Sequence, residues 1–174
     1  HFMIKARAFV FDLGGTLIDT RMRFYSIFNE NLKKFGKRPL PWKEFQEKYS
    51  RGKINDAILP KGCQGREERL NQFWKSLSQD YKGGNDPLIP GAKKVLKEIY
   101  QAKIPIAVAT YVMLSPEETE GELTRYGIAK FISHVVTAFQ GKGRPYLLKK
   151  EIIPGAIAKF GIPPKDSVMV GDTV

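Results

Sequence analysis

Four short apolar runs of β-favouring residues lie along the chain, and segments with helical periodicity separate them. The runs cover residues 6–11, 104–109, 132–138 and 167–170. Strands that alternate with helices predict an α/β fold in which right-handed crossovers connect a parallel sheet. Ligands of such folds bind at the carboxyl edge of the sheet, so the polar residues that end each strand are candidates for a functional site.

The stretch after the first run carries helical patterns and no strand pattern. Apolar residues recur at helical spacing from Phe24 to Phe35, and Gly36 provides a stop. Further helical patterns cover residues 42–49 and 67–77. This stretch therefore predicts an all-helical region.

A breaker cluster, Gly-Gly-Asn-Asp-Pro at residues 83–87, follows the helical region and predicts a linker. A helical pattern and the second apolar run come after it. We therefore expect an α/β core built from residues 1–19 and 87–174, with residues 20–86 inserted after the first strand as a helical domain.

The chain is strongly basic, with 29 Lys and Arg against 18 Asp and Glu and a formal net charge of +11. Residues 20–86 contain 15 bases and 8 acids, so they contribute +7 of that charge. Positive charge favours an anionic partner but does not choose between a small phosphorylated molecule and a nucleic acid. The aromatic residues of this stretch fall mostly at helical spacings that suit a core, so a small anionic substrate is favoured over nucleic acid.

Cysteine, histidine and hydropathy exclude several classes of protein. Cys63 is the single cysteine, which excludes an intramolecular disulfide framework and a cysteine-rich zinc site and favours a reducing, cytoplasmic location. Apart from His1, histidine chemistry would depend on His134, which lies inside an apolar run. No apolar run approaches the ~20 residues that cross a bilayer, so no membrane association is expected. No sequence feature indicates an oligomeric state.

Polar side chains end three of the predicted strands: Asp12, Thr110 and Asp172. Asp12 begins a turn whose glycines, Gly14 and Gly15, let backbone amides approach an anion. A carboxylate there can attack phosphorus or hold a divalent metal, although for Asp12 taken alone an Asx turn that caps the loop is slightly favoured. A hydroxyl at Thr110 can bind a phosphoryl oxygen, and a second carboxylate at Asp172 can complete an oxygen-ligand site suited to Mg²⁺.

Three segments resemble motifs of the haloacid dehalogenase-like hydrolases. Phe-Asp-Leu-Gly-Gly-Thr-Leu-Ile-Asp at 11–19 resembles the first motif, Ile-Ala-Val-Ala-Thr at 106–110 the second, and Val-Met-Val-Gly-Asp-Thr at 168–173 the start of the fourth. The resemblance implies a Rossmann-like three-layer core, a Mg²⁺ cofactor and hydrolase activity. It also implies that the helical insertion is a cap that governs substrate access.

The same resemblance implies roles for individual residues. Asp12 would be the nucleophile, Thr110 would bind phosphoryl oxygens, and the metal would be held by Asp12, Asp172 and the backbone carbonyl of Gly14. The cation of the third motif would be Lys142 or Arg144, of which Arg144 fits the motif position better, with Lys149 or Lys150 as less favoured candidates. The implied substrate-binding residues are Gly15, Thr16, Tyr111 and Lys53.

The chain departs from the family pattern at two places. Phosphatases of the family carry an aspartate as general acid two residues after the nucleophile, and Gly14 occupies that place here. Glycine cannot transfer a proton, so the protonation of the leaving group has no assigned residue. The sequence also stops at Val174, before the second acid of the fourth motif, and we therefore expect the C-terminal part of the core to be missing from it.

Several functions stay open. The favoured one is a Mg²⁺-dependent phosphatase that acts on a small phosphorylated metabolite through an aspartyl phosphate on Asp12. A phosphonatase-type hydrolase of a C–P bond is an alternative in which Lys53 would form a Schiff base with the substrate aldehyde. A non-catalytic phosphate-binding or interaction module and a metal-independent dehalogenase are the further alternatives.

Overall fold

The computed structural model of the protein describes residues 6–81, 84–110, 114–140 and 149–171. The strands are β1 (Ala8–Phe11), β2 (Ile106–Thr110), β3 (His134–Thr137) and β4 (Ser167–Val170). The helices are α1 (Arg21–Lys34), α2 (Trp42–Ser50), α3 (Asn55–Ile58), α4 (Arg66–Asp80), α5 (Ala92–Gln101), α6 (Pro116–Arg125) and α7 (Lys149–Ala158). Within these ranges no helix is both long and apolar enough to span a membrane.

The four strands form one parallel sheet in the order β3-β2-β1-β4. β1 lies inside the sheet, where Phe11 pairs with Val108 of β2 and with Val170 of β4. A strand buried between two neighbours reads as a continuous apolar run, as the sequence of β1 does. The predicted α/β class with a parallel sheet is therefore confirmed.

Helices cover both faces of the sheet because successive side chains of a strand point to opposite faces. On one face Phe11 and Val108 pack with Leu96 of α5 and Leu123 of α6. On the other face Val10, Ala107 and Ala109 pack against α7 through Ile152 and Ala156. The α/β part of the protein therefore has the predicted three layers.

The sequence has a helical pattern over residues 147–160 that Pro154 and Gly155 interrupt, so a break in the helix is expected there. The structure has one continuous helix, Lys149–Ala158, with Pro154 inside it. Proline removes one backbone donor, but Ile152 and Ala156 on either side of it are buried against the sheet. This packing holds the helix together across the proline, and the expectation of a break is wrong.

The chain divides into two compact units, an α/β unit of His1–Thr20 with Gly83–Val174 and a helical unit of Arg21–Lys82. The α/β unit resumes at Gly83, four residues before residue 87, where the sequence predicts that the core resumes. The hydroxyl of Tyr126 on the α/β unit explains this difference, because it donates a hydrogen bond to the Gly84 carbonyl (2.8 Å) and accepts one from the Asp86 amide (2.9 Å).

The helical unit has a core of aromatic side chains. Phe28 and Phe73 are fully buried, with ring centroids 5.3 Å apart. Phe45 packs on Phe28 at 5.6 Å. Trp74 also contacts Phe28, and its indole N–H donates to Asn55 Oδ1 at 2.8 Å. The aromatic residues of this stretch therefore form a core, as their helical spacing indicates.

His134 lies at the amino end of β3, at the opposite edge of the sheet from Asp12 and Thr110. Its Nε2 donates to the Ala156 carbonyl at 2.9 Å, and its ring lies 4.5 Å from that of Phe160. The imidazole therefore completes the last turn of α7. Burial lowers the pKa of His134 most, the hydrogen bond to Ala156 opposes that effect, and the positive charge of Lys159 adds to the lowering.

Because the pKa of His134 is lowered in the folded protein, its imidazole binds a proton less readily there than in the unfolded chain. Below the ordinary histidine pKa of about 6.5, the imidazole therefore takes up a proton when the protein unfolds. The neutral imidazole of His134 therefore contributes fully to stability above a pH of about 6.5. This contribution is lost as the pH falls toward the pKa of His134 in the folded protein. We expect the free energy of unfolding, measured with urea at pH 7.5 and pH 5.5, to fall less in His134→Gln than in the wild type. Equal losses in the two proteins would contradict this prediction. Glutamine keeps a donor for Ala156 and therefore tests the charge alone.

Candidate active site

The carboxyl edge of the sheet brings Asp12 and Thr110 together. Asp12 follows β1 and its amide donates to the Val170 carbonyl of β4 at 2.9 Å, while Thr110 is the last residue of β2. Because neighbouring strands lie about 4.8 Å apart and Phe11 pairs with Val108, the Cα atoms of Asp12 and Thr110 are expected roughly 6 Å apart.

The loop after Asp12 is a tight turn anchored in the core. The Leu13 carbonyl accepts the amides of Leu17 (2.9 Å) and Ile18 (3.0 Å), and the Gly15 amide donates to the Ile18 carbonyl (2.8 Å). The side chains of Leu13, Leu17 and Ile18 are buried. Gly15 has a φ of 81°, a left-handed conformation that glycine adopts without strain. Apolar side chains thus hold the turn while Asp12 and the glycines stay partly exposed.

Thr16 carries a buried hydroxyl in this turn that has no hydrogen-bond partner among the residues described. Its backbone amide is satisfied by the Leu13 carbonyl at 3.3 Å. A buried hydroxyl without a partner costs free energy, which a ligand oxygen at this position would recover.

A side chain at position 14 would be crowded. A Cβ added to Gly14 would lie 3.0 Å from Oγ1 of Thr20, closer than ordinary van der Waals contact. The hydroxyl of Thr20 thus takes the space that a side chain at position 14 needs, which is a steric reason for glycine there.

The oxygen atoms of the turn are of the chemical type that binds a hard divalent cation such as Mg²⁺. The Asp12 carboxylate and the Gly14 carbonyl are the type of ligand that Mg²⁺ takes, and the hydrogen bonds of the turn are accepted by the Leu13 and Ile18 carbonyls rather than by that of Gly14. In the described part of the chain no three acidic, histidine or cysteine side chains gather as a metal site. Four further predicted site residues lie outside the described residues, namely Tyr111, Lys142, Arg144 and Asp172.

Thr137 is a polar strand end that the sequence analysis missed. It is the last residue of β3, it pairs with Thr110, and both side chains are 2% exposed. Its Oγ1 accepts the Phe139 amide at 3.3 Å. The predicted strand ran on to residue 138 and so hid Thr137 inside it, whereas β3 ends one residue earlier.

Lys53 belongs to the helical unit and lies three residues after the end of α2. Its amide donates to the Lys48 carbonyl at 2.8 Å across Gly52, which has a φ of 64°, so the end of α2 fixes the lysine backbone. The side chain is exposed, and no ion pair within the described residues includes it. Lys53 lines a cavity of ≈ 160 Å³ together with Glu44, Glu47, Lys48, Arg51 and Asp56.

Comparisons with curated proteins give two enzymes of similar sequence. The chain is 31% identical over 118 residues to a probable pseudouridine-5'-phosphatase of Saccharomyces cerevisiae, a match that covers 62% of the chain and 46% of that protein. It is 26% identical over 174 residues to a phosphoglycolate phosphatase of Agrobacterium fabrum, covering 95% of the chain and 72% of that protein. The chain therefore spans less than half of the yeast relative.

Solved structures share the fold. A haloacid dehalogenase-like family hydrolase from Streptococcus pneumoniae superposes with a TM-score of 0.71 at 19% identity, covering 98% of this chain and 78% of that chain. CbbY from Rhodobacter sphaeroides, solved in complex with phosphate, superposes with a TM-score of 0.61 at 19% identity, covering 97% and 79%.

A family model matches almost the whole sequence. Residues 6–174 fit the haloacid dehalogenase-like hydrolase family. The match includes the turn after β1 and the strands that flank it, where Asp12 and Thr110 lie. The chain belongs to the haloacid dehalogenase-like hydrolases.

Proposed function

We propose that the protein is a phosphatase that hydrolyses a small phosphorylated metabolite, with Asp12 as its nucleophile. The observation that carries this proposal is the position of Asp12 beside Thr110 at the carboxyl edge of the sheet. The curated relatives named above are phosphatases, which supports the same class of reaction.

In the proposed reaction a carboxylate oxygen of Asp12 attacks the phosphorus atom as the bond from phosphorus to the leaving-group oxygen breaks. The hydroxyls of Thr110 and Thr16 hold the phosphoryl oxygens. Water then attacks the phosphorus of the aspartyl phosphate, releases inorganic phosphate and restores Asp12. Positioning and charge stabilisation supply most of the acceleration in phosphoryl transfer, so Gly14 in place of a general acid is compatible with turnover.

Two further charges belong to this proposal. Mg²⁺ would be held by Asp12, the Gly14 carbonyl and Asp172, and when bound it would neutralise charge on the phosphoryl group. Lys142 or Arg144 would offset the charge between the nucleophile and the phosphoryl group. The metal ion and the basic side chain would together offset the repulsion between the Asp12 carboxylate and the phosphoryl group, so that the two can come within bonding distance.

The helical unit is proposed to be the cap that selects the substrate. Arg21–Lys82 contains 15 Lys and Arg against 7 Asp and Glu, so this unit carries +8. Lys53 is exposed and outside the ion pairs of the described residues, so its ammonium group is available to an anionic part of the substrate. A small anionic metabolite is the substrate class that fits these charges.

Phosphate release from a panel of phosphate esters tests the proposal. The panel contains an aryl phosphate, an acyl phosphate, 2-phosphoglycolate and pseudouridine 5'-phosphate, each assayed with Mg²⁺ and after chelation. We expect turnover of at least the substrates with good leaving groups, and its loss on chelation. Phosphate release from an aldehyde phosphonate alone, with borohydride trapping on Lys53, would instead assign the phosphonatase alternative.

Restoring a carboxylate at position 14 tests the role of Gly14. Because a side chain there would meet Thr20 Oγ1 at 3.0 Å, the change is best made as Gly14→Asp with Thr20→Ala. We expect the double variant to raise kcat on alkyl phosphates relative to aryl phosphates by roughly 10- to 100-fold, since a positioned acid typically contributes about 10² or more. Thr20→Ala alone is the control and should leave the ratio unchanged. An unchanged ratio in the double variant would show that leaving-group protonation does not limit the rate.

A further inference from the structure

A basic and aromatic surface lies along the exposed face of α5 and beside the segment that joins α6 to β3. Its residues come from α5, from the end of α6 and from the connections that follow these two helices. We name it the α5 surface. Its members are the exposed residues Lys93, Lys97, Tyr100, Lys103, Arg125 and Lys130.

The cations of the α5 surface stand outside the ion pairs that the described residues form. Within the described residues no ion pair includes any of the five, and Glu98, the one acid of α5, lies 4.0 Å from Lys94. Six of the bases of the helical unit do form ion pairs within the described residues: Lys33 with Glu30, Lys34 with Asp80, Arg38 and Lys48 with Glu44, Arg51 with Glu47 and Arg66 with Asp56. Cations gathered without counter-charges repel one another and create a potential that attracts a polyanion.

Tyr100 holds an aromatic ring on the same face of α5 as Lys93 and Lys97, which precede it by seven and three residues. Its side chain is 55% exposed, and its ring packs edge-on against the buried Phe131, with centroids 5.6 Å apart and planes at 64°. Lys130 Nζ lies 5.3 Å from the centroid of the Phe131 ring. Phe131 therefore supports the tyrosine ring from one side, while more than half of the residue stays exposed to solvent.

Lys103 occupies a strained position on this surface. Its φ of 59° is left-handed, and it is the one non-glycine residue of the described chain with a positive φ. Its amide donates to the Tyr100 carbonyl (3.0 Å), and the Ile104 amide donates to the Ile99 carbonyl (3.3 Å), a helix ending that ordinarily has glycine at this place. A lysine here adds a positive charge beside Tyr100 at a cost in backbone strain that glycine would avoid.

We propose that the α5 surface binds a single-stranded nucleic acid, with its cations on the phosphates and one base stacked on Tyr100. Basic grooves with exposed aromatic rings bind single strands in this way, because every base has a face that can stack. An acidic peptide needs no exposed ring. A membrane needs apolar side chains to insert, and Val95 is the one exposed large aliphatic residue of α5. This proposal does not depend on the phosphatase reaction.

Fluorescence anisotropy with a labelled single-stranded RNA of mixed sequence, titrated at several salt concentrations, tests the proposal. We expect Lys93→Glu with Lys97→Glu to weaken binding and to lower the slope of log Kd against log salt by about 1.4, since each of the two lost phosphate contacts contributes roughly 0.7 on single strands. The matched control is Lys43→Glu with Lys75→Glu, two exposed lysines of the helical unit, which should bind as the wild type does.

Two more variants separate stacking and folding from charge. Tyr100→Ala should weaken binding roughly 5- to 100-fold, while Tyr100→Phe keeps it, because stacking requires the ring and not the hydroxyl. Lys103→Gly should weaken binding although its thermal midpoint is unchanged or higher, because glycine relieves the strain at this position. Three results would overturn the proposal: no RNA binding at low salt, an equal loss in the control pair, or equal binding by Tyr100→Ala and Tyr100→Phe. Binding to phosphatidylserine vesicles without binding to RNA would overturn it in favour of a membrane surface.

Discussion

Asp12→Asn is expected to lower kcat for phosphate release by at least about 10³-fold, because an amide cannot act as the nucleophile. Asparagine has nearly the same volume, and the hydrogen bond to the Val170 carbonyl uses the backbone amide of residue 12, so the turn should persist. Steady-state phosphate release from the best substrate of the panel is the measurement. Thermal midpoints of the two proteins should agree closely, which separates chemistry from folding.

Asp166→Asn is the matched control for this experiment. Asp166 lies at the amino edge of the sheet, where Oδ2 accepts from Arg7 at 3.5 Å. The same loss of one carboxylate there should leave kcat unchanged. Substantial phosphate release by Asp12→Asn would contradict the assignment of the nucleophile, and no release by wild type across the whole panel would favour the non-catalytic module.

Phe28→Ala is expected to destabilise the helical unit by about 3–5 kcal/mol, the usual cost of truncating a fully buried phenylalanine. The side chain has no exposed surface and contacts Phe45 and Phe73, so a cavity would open where three helices meet. Both tryptophans of the chain, Trp42 and Trp74, lie in this unit, and tryptophan fluorescence during urea unfolding therefore reports on it selectively.

Phe28→Leu provides the comparison, because it keeps most of the apolar volume and should cost no more than roughly half as much. A loss below about 1 kcal/mol in Phe28→Ala would show that the site collapses around the cavity, since the penalty depends on how far the neighbours can relax. It would contradict the description of this cluster as a tightly packed core.

Much of the fold was predictable because local signals and the packed structure agree. β4 begins and ends where its apolar run does, since Pro163 and Pro164 precede it and Gly171 follows it. At Pro154 the local signal and the packing disagree. The proline predicts a break in the helix, but the burial of Ile152 and Ala156 against the sheet keeps α7 continuous. The second unit boundary depends on the hydroxyl of Tyr126, about 40 residues away in sequence, which no local pattern contains.

The candidate site was predictable where topology alone decides it. Parallel strands carry their ends to one edge, so Asp12 and Thr110 could be paired before the structure was known. The unpartnered hydroxyl of Thr16 and the crowding of Gly14 by Thr20 arise from the three-dimensional path of the turn. The α5 surface could not be predicted from the sequence, because its members come from separate segments of the chain. Phe131, which packs against Tyr100, is also distant from Tyr100 in sequence.

Trapping the covalent intermediate tests the proposed reaction most directly. The protein is quenched in acid during turnover and treated with borohydride, which reduces an aspartyl phosphate to homoserine, and peptide mass spectrometry then locates the change. We predict homoserine at position 12, dependent on substrate and absent from Asp12→Asn. Rapid turnover with homoserine at another carboxylate, or with none at all, would contradict Asp12 as the residue that takes the phosphoryl group.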